Sequence, residues 1–205
     1  MKDKLITKTL ESLHEKAALD SIERAAQTKA EPNVEKTHKW ATAYLAVGKV
    51  EGEFLYFIAN VSGAKNIVEF GCSYGISTIY LAAAAKNNAG HVITSDFEPN
   101  KVTGATKNIA MAGLEDFVTI LPGDAMQTLS AVKGPIDLLF LDGAKDLYLP
   151  VFNMLLPKLR KGSIILADNA DKQELQEFNK TLTSAKERYI TSFLSEGRLL
   201  AAICI

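Results

Sequence analysis

Hydrophobic positions change their spacing twice along the chain. Between residues 3 and 30, Leu5, Leu10, Leu13, Ala17 and Ile22 recur at helical spacing among Lys, Glu and Arg, which predicts one long amphipathic helix. Glu31-Pro32-Asn33 stops it, because a residue before proline avoids the helical basin. A second helix is expected roughly from Val34 to Ala46 and a third from about Glu51 to Val61, with Ser62-Gly63-Ala64-Lys65 as a turn. From there, short apolar runs alternate with helical stretches. The runs are Asn66–Phe70, His91–Ser95, Phe117–Leu121, Asp137–Leu141 and Ser163–Ala167. Between them lie helices over Ser77–Ala85 and about Asn100–Met111, a short one after the third run, and one reaching Lys161 that Gly162 ends. Nearly unbroken apolar strands suit a parallel sheet covered on both faces, and the alternation predicts a doubly wound α/β fold. The spacing then changes again. Tyr189–Leu194 and Leu199–Cys204 flank Ser195-Glu196-Gly197-Arg198, the pattern of a hairpin. The expectation is a seven-stranded, mostly parallel sheet with a C-terminal antiparallel hairpin and N-terminal helices.

Length and composition narrow the picture without changing it. At 205 residues, 47% apolar and 23% charged, the chain reads as one domain, with residues 1–60 helical and 61–205 forming the α/β core. Lys+Arg 23 against Asp+Glu 24 leaves a net charge of −1, so no charge excess draws the chain to nucleic-acid phosphates. Cys72 and Cys204 form no framework, which suits a reducing cytoplasm. The start mixes charges within its first turn, and the apolar stretch Ile76–Ala85 is short and carries Ser77 and Thr78. No membrane-spanning or secretory segment is read, and a soluble cytoplasmic protein is expected.

The candidate chemistry sits at strand ends, where open α/β sheets bind their ligands. After the first strand, Gly71 and Gly75 let the backbone turn tightly and approach a ligand; their spacing is neither G-x-G-x-x-G nor a Walker loop. The second strand ends at Asp96-Phe97, an acid able to accept from both ribose hydroxyls and a ring able to lie against adenine. The third ends at Gly123-Asp124-Ala125, where Asp124 can accept from an adenine amino group. Singly, each acid reads as a turn or cap residue; in register on successive strands they read as a ligand set.

At this point Val68-Glu69-Phe70-Gly71-Cys72-Ser73-Tyr74-Gly75, followed in order by Asp96 and Gly123-Asp124-Ala125, resembles the class I S-adenosylmethionine-dependent methyltransferases, whose fold is Rossmann-like. The resemblance implies S-adenosyl-L-methionine as cofactor. It counts Glu69 among the cofactor-binding residues and places Gly71, Gly75 and Ser77 at the methionine part, with Ser77 on its carboxylate. Asp96 and Phe97 then serve the nucleoside, and Asp124 and Ala125 border the adenine.

The fourth and fifth strands end in Asp142 and in Asp168-Asn169. Neighbouring strand ends lie about 5 Å apart, so two carboxylates and an amide oxygen can converge, a hard-ligand set suited to Mg²⁺. The run from Phe140 through Lys145-Asp146 and Tyr148-Leu149-Pro150 to Arg160-Lys161-Gly162 and Ala167-Asp168-Asn169 is similar to the metal-dependent catechol and caffeoyl-coenzyme A O-methyltransferases. That resemblance implies Asp142, Asp168 and Asn169 as ligands of Mg²⁺ (or Mn²⁺ or Ca²⁺), with Asp142 also bordering the cofactor. It implies Lys145 as general base and a small hydroxylated acceptor such as a vicinal diol on an aromatic ring, and together with the apolar-striped N-terminal helix it points to a homodimer; the charge balance and the lack of a membrane-spanning segment speak against nucleic-acid and membrane partners. Gly143 and Ala144 depart from it, standing where the catechol enzyme has bulkier rings, and the Ser195-Glu196-Gly197 hairpin offers no substrate acid. Two alternatives stay open: the same chemistry on a hydroxylated base of transfer RNA, and a non-catalytic S-adenosylmethionine-binding protein.

Other residues read more plainly. His14, His38 and His91 are scattered without metal spacing, and Phe54, Tyr56 and Phe57 are taken as core. Trp40 and Tyr44, four apart on the expected second helix, face either an acceptor pocket or a packing surface.

Overall fold

A computed structural model describes residues 3–30 and 41–205, without the side chains of 27–30. In chain order the elements are α1 (Lys4–Ala30), α2 (Lys49–Val61), β1 (Asn66–Phe70), α3 (Ile76–Asn87), β2 (His91–Asp96), α4 (Pro99–Met111), β3 (Val118–Pro122), α5 (Ala125–Thr128), β4 (Ile136–Leu141), α6 (Tyr148–Leu155), β5 (Leu159–Ala167), α7 (Gln176–Ser184), β6 (Tyr189–Leu194) and β7 (Leu199–Cys204). The seven strands form one sheet in the order β3-β2-β1-β4-β5-β7-β6. β7 alone runs against the rest, pairing antiparallel with both β5 and β6.

Alternation along the strands divides the interior into two layers. Ile67, Leu138, Phe140 and Leu166 face a layer filled by Ile6, Leu10 and Leu13 of α1, Leu55 of α2, Ile79 and Leu81 of α3 and Ile109 of α4. Val68, Leu139, Leu141 and Ile165 face the other, with Val151, Phe152, Phe178 and Leu182 of α6 and α7. Both faces of β1 and β4 are therefore covered, which is why those strands are apolar apart from Asn66, Glu69 and Asp137. α3 is buried all round from Ile76 to Ala85, and its alanines let the flanking helices and the sheet approach it closely.

Several elements differ from the sequence reading. The expected second helix falls partly outside the described residues, as do Trp40 and His38; its remaining part, from 41 to 46, is a turn and irregular chain. On α1 the apolar stripe is buried only at its start: Leu5 is half exposed and Ile22 is 68% exposed, while Ile6 takes the inward position. Phe57 is not core either, being 56% exposed, because Gly52, Leu55 and Ala59 set the inward face of α2 and Phe57 lies off it. The helix expected to reach Lys161 ends at Leu155, and β5 begins at Leu159. Gly162 lies inside β5 with φ +87°. The register against β4 shifts there, and Ser163 Oγ both accepts from the Arg160 N–H and donates to the Ile136 carbonyl, so a bulge replaces the helix end.

Candidate functional site

β1 and β4 are sequence-distant neighbours at the centre of the sheet, with β2 on one side and β5 on the other. Chain connections leave in opposite directions from this point, and the carboxyl ends of the strands open onto a cavity of about 1190 Å³. That volume has room for a nucleoside-sized ligand together with a small second one.

Glycines let the strand-end loops meet. A Cβ on Gly71, whose φ is +90°, would lie 2.6 Å from the Gly143 Cα, and one on Gly143 would lie 2.3 Å from the Phe70 ring. The Phe70 ring thus fills the space that the absent side chain at 143 leaves. Gly75 has φ +86° at the start of α3 and sits against Ala105 of α4 rather than on the cavity wall. Ser77, on the first turn of α3, does line the cavity. Glu69 does not: it is fully buried beneath the loop, where it accepts from the Thr78 hydroxyl, and burial pushes its carboxyl above the ordinary range.

On the β2 side of the cavity, a carboxylate is pinned by backbone N–H groups. Asp96 Oδ2 accepts from the Ser73 N–H at 2.7 Å and Oδ1 from the Glu98 N–H at 3.0 Å. The carboxylate is held rigid with lone pairs left over, and it lines the cavity together with Phe97, Asp124 and Ala125. Asp124 is also a cap, its Oδ1 accepting from the Met126 N–H at the start of α5. A fixed carboxylate, an exposed aromatic ring and a volume of this size fit the nucleoside end of S-adenosylmethionine.

The opposite wall carries Asp142, Asp168, Asn169 and Lys145. Asp142 and Asp168 are drawn together by the strands, the Asp168 N–H donating to the Leu141 carbonyl. Burial, opposed by Lys145 and reinforced by Asp168, pushes the Asp142 carboxyl up to about 8. Lys145 Nζ lies 3.4 Å from Asp142 Oδ1 and donates to Tyr148 Oη at 2.9 Å, and the Tyr148 hydroxyl donates to the Asp168 carbonyl. Asp168 has a partner that the sequence reading did not assign. Arg198 Nε donates to its Oδ1 and Nη2 to its Oδ2, both at 3.0 Å, and the carboxylate is only 3% exposed. The reason is register: Ala167 of β5 stands opposite Leu200 of β7, so Arg198, just before β7, comes beside the Asp168-Asn169 end of β5, its carbonyl accepting from the Ala170 N–H. Asking which strand the hairpin joins would have found it.

The expected metal set is thus brought to one wall, but both Asp168 oxygens are held by a guanidinium. Among the described residues, no group of three or more His, Cys, Asp or Glu is placed to hold a metal ion. As arranged, the residues do not fit one.

Tyr44, which the sequence left between an acceptor pocket and a packing surface, lines the cavity, and so do Leu45, Ala46 and Val47, which sequence reasoning passed over; the stretch is irregular rather than helical. Tyr44 stacks on Tyr74 with ring centres 4.3 Å apart, and its carbonyl accepts from Ser73 Oγ. His14 contacts Tyr80 Oη and His91 contacts Thr119, both away from the cavity. No described helix is long and apolar enough to cross a membrane.

Comparison with known proteins adds the following. A family model described as "Methyltransferase domain" matches residues 68–170. A catechol O-methyltransferase of Niastella koreensis is 38% identical over 129 residues, covering 61% of this chain and 58% of that protein. One from Mycobacterium tuberculosis is 33% identical over 126 residues, covering 61% and 57%. The chain thus spans less than two thirds of the length of these curated relatives. In three dimensions, an O-methyltransferase from Bacillus cereus, solved in complex with SAH, superposes with TM-score 0.71 at 24% identity, covering 96% of this chain and 90% of that one; the likeness is one of fold.

Proposed function

The chain belongs to the methyltransferase domain family, and from that premise we propose that it is an S-adenosylmethionine-dependent O-methyltransferase acting on a small, catechol-like acceptor. The observation that carries the reading is the convergence of Ser77, Asp96 and Asp124 on one side of a single cavity with Lys145 on the other. The catechol O-methyltransferases among the relatives supply the acceptor class.

In this reading Asp96 takes the ribose hydroxyls, Phe97 and Asp124 flank the adenine, and Ser77 holds the methionine carboxylate. Gly71 and Gly75 act through the backbone, by allowing the loop its close packing, and Glu69 supports the loop from below. S-adenosylmethionine, when bound, supplies a methyl carbon on a positively charged sulfur. Lys145, entering the step as the free amine, takes the proton from the acceptor hydroxyl, and the ammonium formed lies against Asp142. The acceptor oxygen forms the new O–C bond as the C–S electron pair returns to sulfur, leaving S-adenosylhomocysteine. Alignment of the two bound partners supplies most of the acceleration. Divalent-metal assistance by Asp142, Asp168 and Asn169 is not part of this mechanism, because Arg198 holds both Asp168 oxygens.

Residues 1–60 then serve as a cap on the acceptor side, supported by the 44–47 stretch in the cavity wall, with 61–205 as the cofactor core. A homodimer is part of the same reading, supported by exposed Leu19 and Ile22 on α1, and light scattering on the purified chain tests it.

The deciding experiment is formation of S-adenosylhomocysteine with a panel of catechols. Methylation of a vicinal diol by the chain, lost on Lys145→Met while cofactor still binds, is the expected result. Cofactor binding with no turnover on any diol would remove the acceptor class.

A further inference from the structure

Two carboxylates on adjacent strand ends repel unless something positive lies between or beside them. Here each already has a basic side chain of the chain against it: Lys145 stands 3.4 Å from Asp142, and Arg198 grips Asp168 at two points, 3.0 Å each. Little unmatched negative charge is left in the cluster to attract a divalent ion. Geometry acts in the same sense. A guanidinium presents five N–H donors in a planar fork, and a two-point pairing with a carboxylate is the arrangement that Arg makes and Lys cannot. An ion at this wall would have to displace that fork or lie beside its charge. The pairing is shielded, with the Asp168 side chain 3% exposed, so solvent does not dilute it as at a surface pair.

We propose that Arg198 stands in this site in place of a divalent metal: it closes Asp168 to metal ions and itself supplies the positive charge that holds and polarises the acceptor's oxygens. Two of its five N–H groups are spent on Asp168, and its side chain, 41% exposed, lines the same cavity as Lys145. The remaining donors serve an acceptor with two neighbouring oxygens, one methylated and one hydrogen-bonded to the guanidinium, or an acceptor with an anionic group in that place. Methyl transfer then runs with the balance given above and needs no metal. The second half of the proposal rests on the methyltransferase reading; the closure to metal does not.

The test separates the two. Mn²⁺ binding to the full chain, with S-adenosylhomocysteine present, is followed by electron paramagnetic resonance for the natural sequence, Arg198→Gln and the double variant Arg198→Gln/Asp168→Asn. The expected result is no stoichiometric Mn²⁺ site in the natural chain, one gained in Arg198→Gln, and its loss in the double variant. Stoichiometric binding by the natural chain, removed by Asp168→Asn alone, would overturn the proposal whether or not Arg198→Gln folds. A folded Arg198→Gln that gains no Mn²⁺ overturns the assignment of the closure to Arg198. For the second half, turnover is expected to be indifferent to EDTA in the natural chain. In Arg198→Gln kcat/KM should fall roughly 10²–10³-fold, the scale of losing one preorganised electrostatic donor. Turnover that collapses with EDTA and returns with Mg²⁺ overturns that half. A chain that binds no Mn²⁺ and methylates nothing fails the functional reading and leaves the closure standing.

Discussion

Asp96, the proposed ribose residue, shows what a carboxylate gains from the backbone around it. Both of its oxygens are already held by N–H groups, one from the glycine loop and one from the turn into α4, so little rotational freedom is left to lose when a ribose arrives. Asp96→Ala is expected to weaken S-adenosylhomocysteine binding by about 10- to 100-fold, the scale of charge-assisted hydrogen bonds, as read by calorimetry. Glu69 makes the opposite case, an acid whose burial favours its neutral form. Its folded pKa is raised above the ordinary 4.5, so the folded state binds its proton more tightly than the unfolded chain does. The stability this contributes is complete below 4.5 and is lost as pH rises through the raised value. Glu69→Gln keeps the neutral shape and should flatten the decline of Tm with pH between 4.5 and the raised value; an unchanged slope there would show that Glu69 is ionised in the folded chain. The acids at strand ends were legible in the sequence because chain order alone puts them there. Arg198 was not, since its place depends on which strand β7 joins. The space at Gly143 was legible as a gap but not as one that Phe70 fills.

At the scale of elements, burial decides which apolar residues matter. α1 contributes Ile6, Leu10 and Leu13 to the sheet-covering layer and then runs past it, so helical periodicity located the helix but overstated its buried face. Leu13→Ala should cost about 2–5 kcal/mol, by transfer and cavity terms together. Phe57→Ala, on the outer side of α2, should stay within about 0.5 kcal/mol. Urea midpoints compare the two directly, and equal losses would mean that a partner surface covers α2. The β5 bulge had a different obscurity. A glycine after basic residues reads as a helix end, and only the Ser163 hydroxyl, bridging Arg160 and Ile136, shows that the chain is already in the sheet.

For the whole molecule, the strand order sets where opening occurs. β1 and β4 are paired on both edges and covered on both faces, whereas β6 is paired on one edge only and leaves Ile190 and Phe193 exposed. Hydrogen exchange should be slowest in β1 and β4 and markedly faster in β6, a gradient that mass spectrometry resolves peptide by peptide. Uniform protection across the sheet would contradict it. The antiparallel insertion of β7 between β5 and β6 also sets an order in time. Asp96, Asp142 and Asp168 all leave the ribosome before Arg198, so a growing chain can shape the cofactor side of the cavity while Asp168 still lacks its counterion. On the proposed reading, the acceptor wall is complete only when β7 is laid beside β5, and competence for methyl transfer is deferred until then.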